Sequence, residues 1–401
     1  MALLFPLTGW LLWQKLSAGL IIKSMRAAQL NLVGKCLDVQ GVWHMNNSQV
    51  VDVLVIGLGP AGSCASRKAA EANLSVLAID RRKRPGEPVQ CAEFVPALMG
   101  QEIKTSEVVR RQSIREMTTF VENGLPDSRD DFRGQMIDRG EFDRDLIANA
   151  RHKGADCQFG LVLRSIAPDG TALLSSGKRV YPKVIIGADG PRSAVGYAIG
   201  HSNSSLVAAR QMTVPLLEPH RGTDIFLSAD IVGGYGWMFP KGDRANIGVG
   251  VSPAARGHLK PLLETMRKRL LRERRIGNAV LGHTGGEIPV GGMVKACGRL
   301  GEVAVFLAGD AAGLANPITG AGIPSAVISG ELAGEAAASS VGGDCSAGED
   351  YVDELSDIFD ISMNRALRRR QEILGFHSGN RTPIPSELRR TWIAYNEYWA
   401  T

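Results

Sequence analysis

The sequence predicts an α/β fold of two lobes, one an open parallel sheet flanked by helices, the other a mainly antiparallel sheet. Three observations carry this reading. A β-branched apolar run, Val51–Ile56, passes through a glycine turn into an Ala-rich helical stretch, Ser63–Asn73. Two later segments, Val184–Asp189 and Val303–Asp310, repeat a buried-strand pattern that ends at an acid. Between them, Tyr235–Val251 alternates and doubles back at Lys241–Arg244, as an antiparallel hairpin does. A chain of 401 residues also exceeds what one hydrophobic core usually organises, so two coupled lobes are expected.

The opening strand, turn and helix point to a dinucleotide. In Gly57-Leu-Gly59-Pro-Ala61-Gly62, Gly57 permits the tight turn, Gly59 lets backbone approach a pyrophosphate, and Gly62 lets helix and strand pack closely. The helix N-terminus offers N–H groups and partial positive charge to phosphates. A second strand, Ser75–Ile79, ends in Asp80, 23 residues after Gly57, where a carboxylate can accept from ribose hydroxyls. Arg81 follows it at the same edge; a 2′-phosphate reader built on Arg81 and Arg82 is disfavoured by Asp80, which leaves these two as solvated loop charges. This motif alone does not separate FAD from NAD(P).

The central and C-terminal segments do separate them. Asp189-Gly190 forms a glycine turn after its strand, and Gly309-Asp310 runs on into Asn316-Pro-Ile-Thr-Gly320-Ala-Gly322-Ile323 and a long Ala-rich helix. In this order the three segments resemble the aromatic-hydroxylase-like flavoproteins, which join a Rossmann-like FAD-binding domain to an antiparallel-sheet substrate domain. The resemblance implies that Asp310 meets a flavin ribitol or ribose hydroxyl and that Gly320–Ile323 lie beside the ring. Arg139, in Arg139-Gly-Glu-Phe-Asp143, matches a flavin-contacting helix start; the plainer reading pairs it with a neighbouring acid.

Two further segments resemble the geranylgeranyl (prenyl) reductase branch of that superfamily. Gly86-Glu-Pro88-Val-Gln-Cys91-Ala-Glu93 is similar to its G-x-P-V-x-C-A-E signature, and Tyr235-Gly-Trp237-Met-Phe239-Pro240 to its Y-x-W-x-F-P motif. A strand places Tyr235, Trp237 and Phe239 on one face, a wall suited to a long apolar chain. The implied reaction saturates isoprenoid double bonds of a prenyl diphosphate or prenyl lipid by hydride transfer from reduced FAD. Cys91 would gate the flavin or pass a proton, and Glu93 would orient Cys91 or face solvent. The electron donor is NADPH or ferredoxin; no separate NAD(P) fingerprint occurs. Phe94, where the branch commonly has Gly, is expected to narrow the cavity beside Cys91. Two rivals stay open: a monooxygenase or halogenase of the same fold, and a non-catalytic flavin- and lipid-binding protein.

The domain plan is residues 1–48 as an extension or membrane-surface segment, 49–209 and 293–345 as two parts of the FAD-binding domain, 210–292 as the substrate domain with a basic helix His258–Arg275, and 346–401 as a helical basic tail. The net charge is +5, but it resides at the ends: the first 44 residues carry four Lys/Arg against one Asp, and 361–401 carry seven Arg against three Glu. The near-neutral body argues against a nucleic-acid partner. Six scattered cysteines without a C-x-x-C pair argue against structural zinc or a disulfide framework and for a reducing, cytoplasmic setting. The apolar stretch Ala2–Lys23 is a surface anchor, a marginal spanning helix, or an extension ahead of a natural start at Met45. The run Arg365–Arg370 reads as a solvated helix face, or, for a lipid substrate, as attraction to anionic headgroups at the inner face of the cytoplasmic membrane.

Overall fold

A computed structural model describes residues 47–97, 106–378 and 381–400. The readings made for Ala2–Lys23 and Met45 lie outside them. From Ser48 onward the first sheet runs in the order β17 (Cys297–Leu300), β18 (Val303–Leu307), β11 (Arg179–Gly187), β1 (Ser48–Ile56), β2 (Val76–Asp80), β8 (Asp156–Phe159). Its five strands from β18 to β8 are parallel, and β17 closes the edge antiparallel. β9 (Leu163–Ile166) and β10 (Ala172–Leu174) form an antiparallel branch off β11. The apolar runs recognised in the sequence are the buried central strands, covered on both faces and therefore hydrophobic throughout.

Helix α1 (Pro60–Glu71) leaves the turn after β1 and packs along α5 (Ile323–Val341). Small residues line this contact for a steric reason. A Cβ on Gly330 would lie 2.2 Å from the Ala61 carbonyl oxygen, and one on Gly334 2.6 Å from that of Ala65. Gly57 takes φ +96°, and a Cβ on Gly62 would stand 1.8 Å from the Gly57 oxygen, so turn and helix meet backbone to backbone. Helix α2 (Arg139–His152) follows and is capped by Asp138, which accepts from the Glu141 N–H at 3.1 Å. A short α3 (Ala194–Ala198) follows the Asp189-Gly190 turn.

The second sheet has the order β16 (Gly282–Pro289), β12 (Leu206–Pro215), β15 (Arg244–Val251), β14 (Gly236–Lys241), β13 (Thr223–Leu227), β5 (Met117–Val121), β6 (Asp127–Arg129). It therefore draws two strands from well ahead of the 210–292 span predicted for it, and β13 joins β5 in parallel. Strand pairing over so long a separation leaves no local sequence signal. The basic helix forms as α4 (Leu259–Arg272); Leu259, Leu263, Met266 and Leu270 make one stripe that covers Met238, Ile247 and Val249 on the sheet's outer face. A three-stranded sheet, β3 (Phe94–Pro96), β7 (Gly134–Ile137) and β4 (Arg110–Ile114), sits nearer the opposite face.

The C-terminal region is helical: α6 (Ala347–His377), α7 (Pro385–Arg390) and α8 (Asn396–Trp399). The expected solvated Arg365–Arg370 face is only partly so, because Arg369 and Arg370 are buried. Helical spacing explains it: the inner stripe Tyr351, Leu355, Phe359, Met363, Ala366 continues onto Arg370 and Ile373. Arg369 is held by the carbonyls of Glu397, Tyr398 and Ala400 at 2.5–3.1 Å and by Glu372 at 2.8 Å. Trp392 packs on Tyr235 with ring centroids 4.7 Å apart, so the segment is part of the core.

The α1–α5 approach sets a stability test. Gly330→Ala must push the helices apart and should cost about 2 kcal/mol, read as a lower urea midpoint with an unchanged slope.

Candidate functional site

One cavity of about 1750 Å³ connects the glycine turn after β1 with the aromatic face of β14 and the C-terminal segment. That exceeds the several hundred to about 1,000 Å³ usual for one small ligand. Gly57, Gly59, Ala61, Asp80, Arg81, Cys91, Arg139, Asp189, Gly309, Asp310, Gly320, Gly322, Ile323, Tyr235, Trp237 and Phe239, all singled out from sequence, line it; Gly62 lies behind in the α1 packing.

The nucleotide end is built from backbone. Gly59 is the N-cap of α1, with no side chain capping it, and a Cβ there would meet nothing within 4 Å. The first N–H groups of α1 are thus left for an anion. Helix α5 likewise begins at Gly322 without a side-chain cap. Asp80 accepts the Leu58 N–H at 2.9 Å and the Arg82 N–H at 2.7 Å, which ties the end of β2 to the glycine turn and leaves lone pairs for hydroxyl donors. Arg81 is exposed on the cavity rim, whereas Arg82 is half-buried between Asp80 and Asp143 and so is not the solvated charge expected. Asp189 lines the cavity, but its carboxylate is committed to Ser193 Oγ at 2.5 Å and the Ala194 N–H at 2.7 Å. What it offers a ligand is the shape of its turn.

Asp310 is different. Its carboxylate has no hydrogen-bond donor among the described residues; only its backbone oxygen is taken, by Asn203 Nδ2 at 2.8 Å and the Gly313 N–H at 3.1 Å. Burial pushes its pKa up to about 6, opposed by the Arg139 guanidinium. An orphaned carboxylate, two uncapped helix starts and an open glycine over a deep cleft fit FAD, with Asp310 and Asp80 toward sugar or ribityl hydroxyls and α1 toward the pyrophosphate.

The chemistry-bearing residues meet at the junction of the sheets. Arg139 Nε donates to Asp143 at 2.7 Å, the neighbouring-acid pairing expected, but the pair is largely buried in the cavity wall rather than on the surface. Burial pushes the Cys91 thiol up, while Arg139 beside it pulls the other way. Glu93 does not face solvent. It is buried at φ +67°, an uncommon conformation for a non-glycine residue, and its N–H donates to Cys91 Sγ at 3.2 Å. Its carboxylate accepts from Lys241 Nζ at 2.7 Å, the Arg139 N–H at 3.0 Å and Asn246 Nδ2 at 3.0 Å. Gln211 bridges the two signatures, donating to the Cys91 carbonyl at 3.2 Å and accepting from Trp237 Nε1 at 3.1 Å.

The aromatic wall is continuous. Tyr235, Trp237 and Phe239 stand 5.8 and 6.2 Å apart in series, Phe239 meets Phe94 at 5.4 Å, and Phe94 meets Phe132 at 5.7 Å. Phe94 therefore belongs to the wall beside Cys91. The Tyr235 hydroxyl donates to the Thr319 carbonyl at 2.5 Å, joining the wall to the loop before α5, and burial raises its pKa. Sequence reasoning missed Gln211, Lys241, Asn246, Arg370 and Trp392. Lys241 sits one residue past the Phe239-Pro240 end of the motif, and the α6 stripe leads onto Arg370; both were available signals.

Two outcomes follow. Without cofactor, the raised Asp310 pKa favours the folded state at acid pH, an advantage lost as pH rises through about 6. A hydroxyl donating to the ionised carboxylate reverses this, so FAD affinity of the apoprotein should fall about tenfold from pH 7 to pH 5. Asp310→Asn should flatten that profile in a fluorescence titration. Lys241→Met removes the cation from buried Glu93 and should cost about 2 kcal/mol in urea unfolding, with Lys241→Arg recovering most of it.

A family model described as an FAD binding domain matches residues 133–347. A digeranylgeranylglycerophospholipid reductase of Methanosarcina acetivorans is 32% identical over 344 residues, covering 78% of this chain and 80% of its own. That of Methanocaldococcus jannaschii is 30% identical over 309 residues, 73% of this chain and 78% of its own. Among solved structures, a geranylgeranyl bacteriochlorophyll reductase-like protein of Thermoplasma acidophilum superimposes with a TM-score of 0.73 at 25% identity, over 82% of this chain and 88% of its own. A probable FAD-dependent monooxygenase of Pseudomonas aeruginosa reaches 0.60 at 17% identity, over 82% and 96%, a likeness of fold alone. Kinship of this extent in sequence places the chain in the FAD-dependent geranylgeranyl reductase family, flavin oxidoreductases that reduce isoprenoid carbon–carbon double bonds.

Proposed function

We propose that this protein saturates double bonds of a polyprenyl chain carried as a prenyl diphosphate or a prenyl lipid. The observation that carries the reading is the union, in one cavity, of the nucleotide cradle with the wall of Tyr235, Trp237, Phe239, Phe94 and Trp392. Such a wall holds an apolar chain through area and shape, without polar handles. Bound and reduced, FAD supplies the hydride.

The chain's own residues supply the rest. Packing of the aromatic rings excludes water and holds the alkene in place. Their π-faces favour positive charge developing at the tertiary carbon, by about 1–2 kcal/mol for a desolvated contact. Cys91, kept as a thiol by burial, holds the proton that the second carbon requires, and Arg139 beside it stabilises the thiolate left behind. Glu93 and Lys241 position that thiol through the Glu93 N–H.

The electron source is NADPH or a ferredoxin-type protein, and the chain works on the cytoplasmic side, peripheral to the membrane that holds a lipid substrate. Among the described residues, no helix is long and apolar enough to cross a membrane.

Dithionite-reduced protein given geranylgeranyl diphosphate or a geranylgeranylated glycerolipid should yield products heavier by steps of two hydrogens in mass spectrometry. Bound FAD with no mass gain on either substrate would overturn the reading. Cys91→Ser should slow the gain about 100-fold with FAD content unchanged; loss of FAD in that variant would make Cys91 a packing residue.

A further inference from the structure

The basic helix α4 keeps much of its charge unspent. Residues 256–275 carry eight Lys/Arg against two Glu, within a body whose net charge is near zero. The inner stripe of α4 is apolar and packs on the second sheet, so the charges stand on its outer side. Both acids are taken: Glu264 lies 3.7 Å from Arg267, and Glu273 accepts from Arg269 Nε at 2.8 Å. Lys260, Lys268, Arg272 and Arg274 are exposed and have no ion pair among the described residues. Lys268 and Arg272, one turn apart, line an open depression together with Thr265 and Leu271. In the run Arg365–Arg370, read above as the headgroup-seeking stretch, Arg369 and Arg370 are buried; on α4 the cations are free.

Exposed aliphatic surface lies beside these cations. Leu217 is 57% exposed, Leu281 50% and Val280 39%. They come from separate loops, and hydrogen bonds gather them at the end of α4. The Leu217 N–H donates to the Arg275 carbonyl at 3.2 Å, the Gly277 N–H to that of Pro215 at 2.8 Å, and the Leu281 N–H to that of Thr213 at 2.8 Å. Arg267 Nη2 donates to the backbone and side-chain oxygens of Asn278 at 2.6 and 2.8 Å, which holds the loop before Val280 against the helix. Free cations next to bare Leu and Val match a surface that is anionic at its face and apolar just beneath, as a bilayer of anionic lipids is. A polyanion without apolar depth would use the cations alone. At the other end of the helix, Arg256, Gly257 and Lys260 are exposed and line the cavity, so α4 runs from the cavity rim to the aliphatic patch.

We propose that the outer side of α4, together with Leu217, Val280 and Leu281, rests on the anionic surface of a lipid bilayer and holds the Arg256–Lys260 rim of the cavity at headgroup level. This rests on the prenyl-lipid reading and deepens it: an apolar chain then passes from the bilayer into the cavity without crossing water. The bilayer is recognised by charge and apolar depth on the outside of the second sheet, apart from the residues that hold the substrate.

The test is flotation of the whole FAD-loaded chain with vesicles of phosphatidylcholine or of phosphatidylglycerol. Wild type should partition onto the anionic vesicles about tenfold or more better than onto the neutral ones. Lys268→Gln combined with Arg272→Gln should lower that partition about tenfold. Leu217→Ser combined with Leu281→Ser should lower it several-fold, most clearly in raised salt, where charge attraction fades and apolar contact persists. Both pairs are exposed, so FAD content should stay unchanged, and the leucine pair carries the test if the charge pair does not fold. Wild type that partitions equally onto both vesicles, or variants that float like wild type, would overturn the proposal. Loss with the charge pair and none with the leucine pair would assign α4 to an acidic protein partner, and would overturn the lipid surface as well. Reduction of geranylgeranyl diphosphate without vesicles reports the prenyl reading separately. Variants that float poorly should retain it, whereas wild type that floats without reducing any prenyl chain would overturn that reading and leave the surface standing.

Discussion

The close approach of α1 and α5 is the constraint on which the rest of the molecule depends. Because Gly330 and Gly334 present no side chain to Ala61 and Ala65, the two helices run backbone against backbone. Their N-terminal ends, at Gly59 and Gly322, both line one cavity at different points along it, neither closed by a side-chain cap. Both helix ends thereby bring unpaired N–H groups and partial positive charge to the cavity, a setting that favours an anion. A Ser329 hydroxyl on α5 accepts the Gly309 N–H at 2.9 Å, which ties the Asp310 turn to the same pair. Loosening this one contact would misplace three cofactor-facing elements together.

The reactive end depends on a different kind of order, a polar network in place of bare backbone. Glu93 takes a strained conformation and turns its carboxylate into a junction for Lys241, Asn246 and the first N–H of α2. Strain of this kind persists only where its surroundings over-determine it. Here three donors do so, and the by-product is an N–H aimed at Cys91. The second sheet, through Lys241, Asn246 and Gln211, thus fixes a thiol that belongs to the loop before β3.

The first lobe was legible because each of its signals is local. Gly57, Gly59 and Gly62 sit in one turn, Asp80 ends the next strand, and a buried parallel strand reads as an unbroken apolar run. Tyr235, Trp237 and Phe239 were legible because alternation along a strand survives any tertiary context. What escaped was everything assembled from distant segments. Lys241 reads as a turn residue until β7 and Asn246 meet it at Glu93. Arg370 hides within a basic run whose members face opposite sides of a helix, so composition there says nothing of exposure. The β5–β13 pairing joins strands from separate parts of the chain, and no periodicity announces it. Asp189, by contrast, was recognised for a good reason and put to a different use, since its carboxylate caps the start of α3.

That parallel pairing has a bearing on where the chain can be divided. With β5 and β6 lent to the second sheet by the chain of the first lobe, the substrate lobe is not a transferable module. Cut out on its own, it would carry β13 as a bare edge, inviting pairing with any other strand it met. The cavity loops and the C-terminal segment are under no such tie, since neither lends a strand to the other sheet.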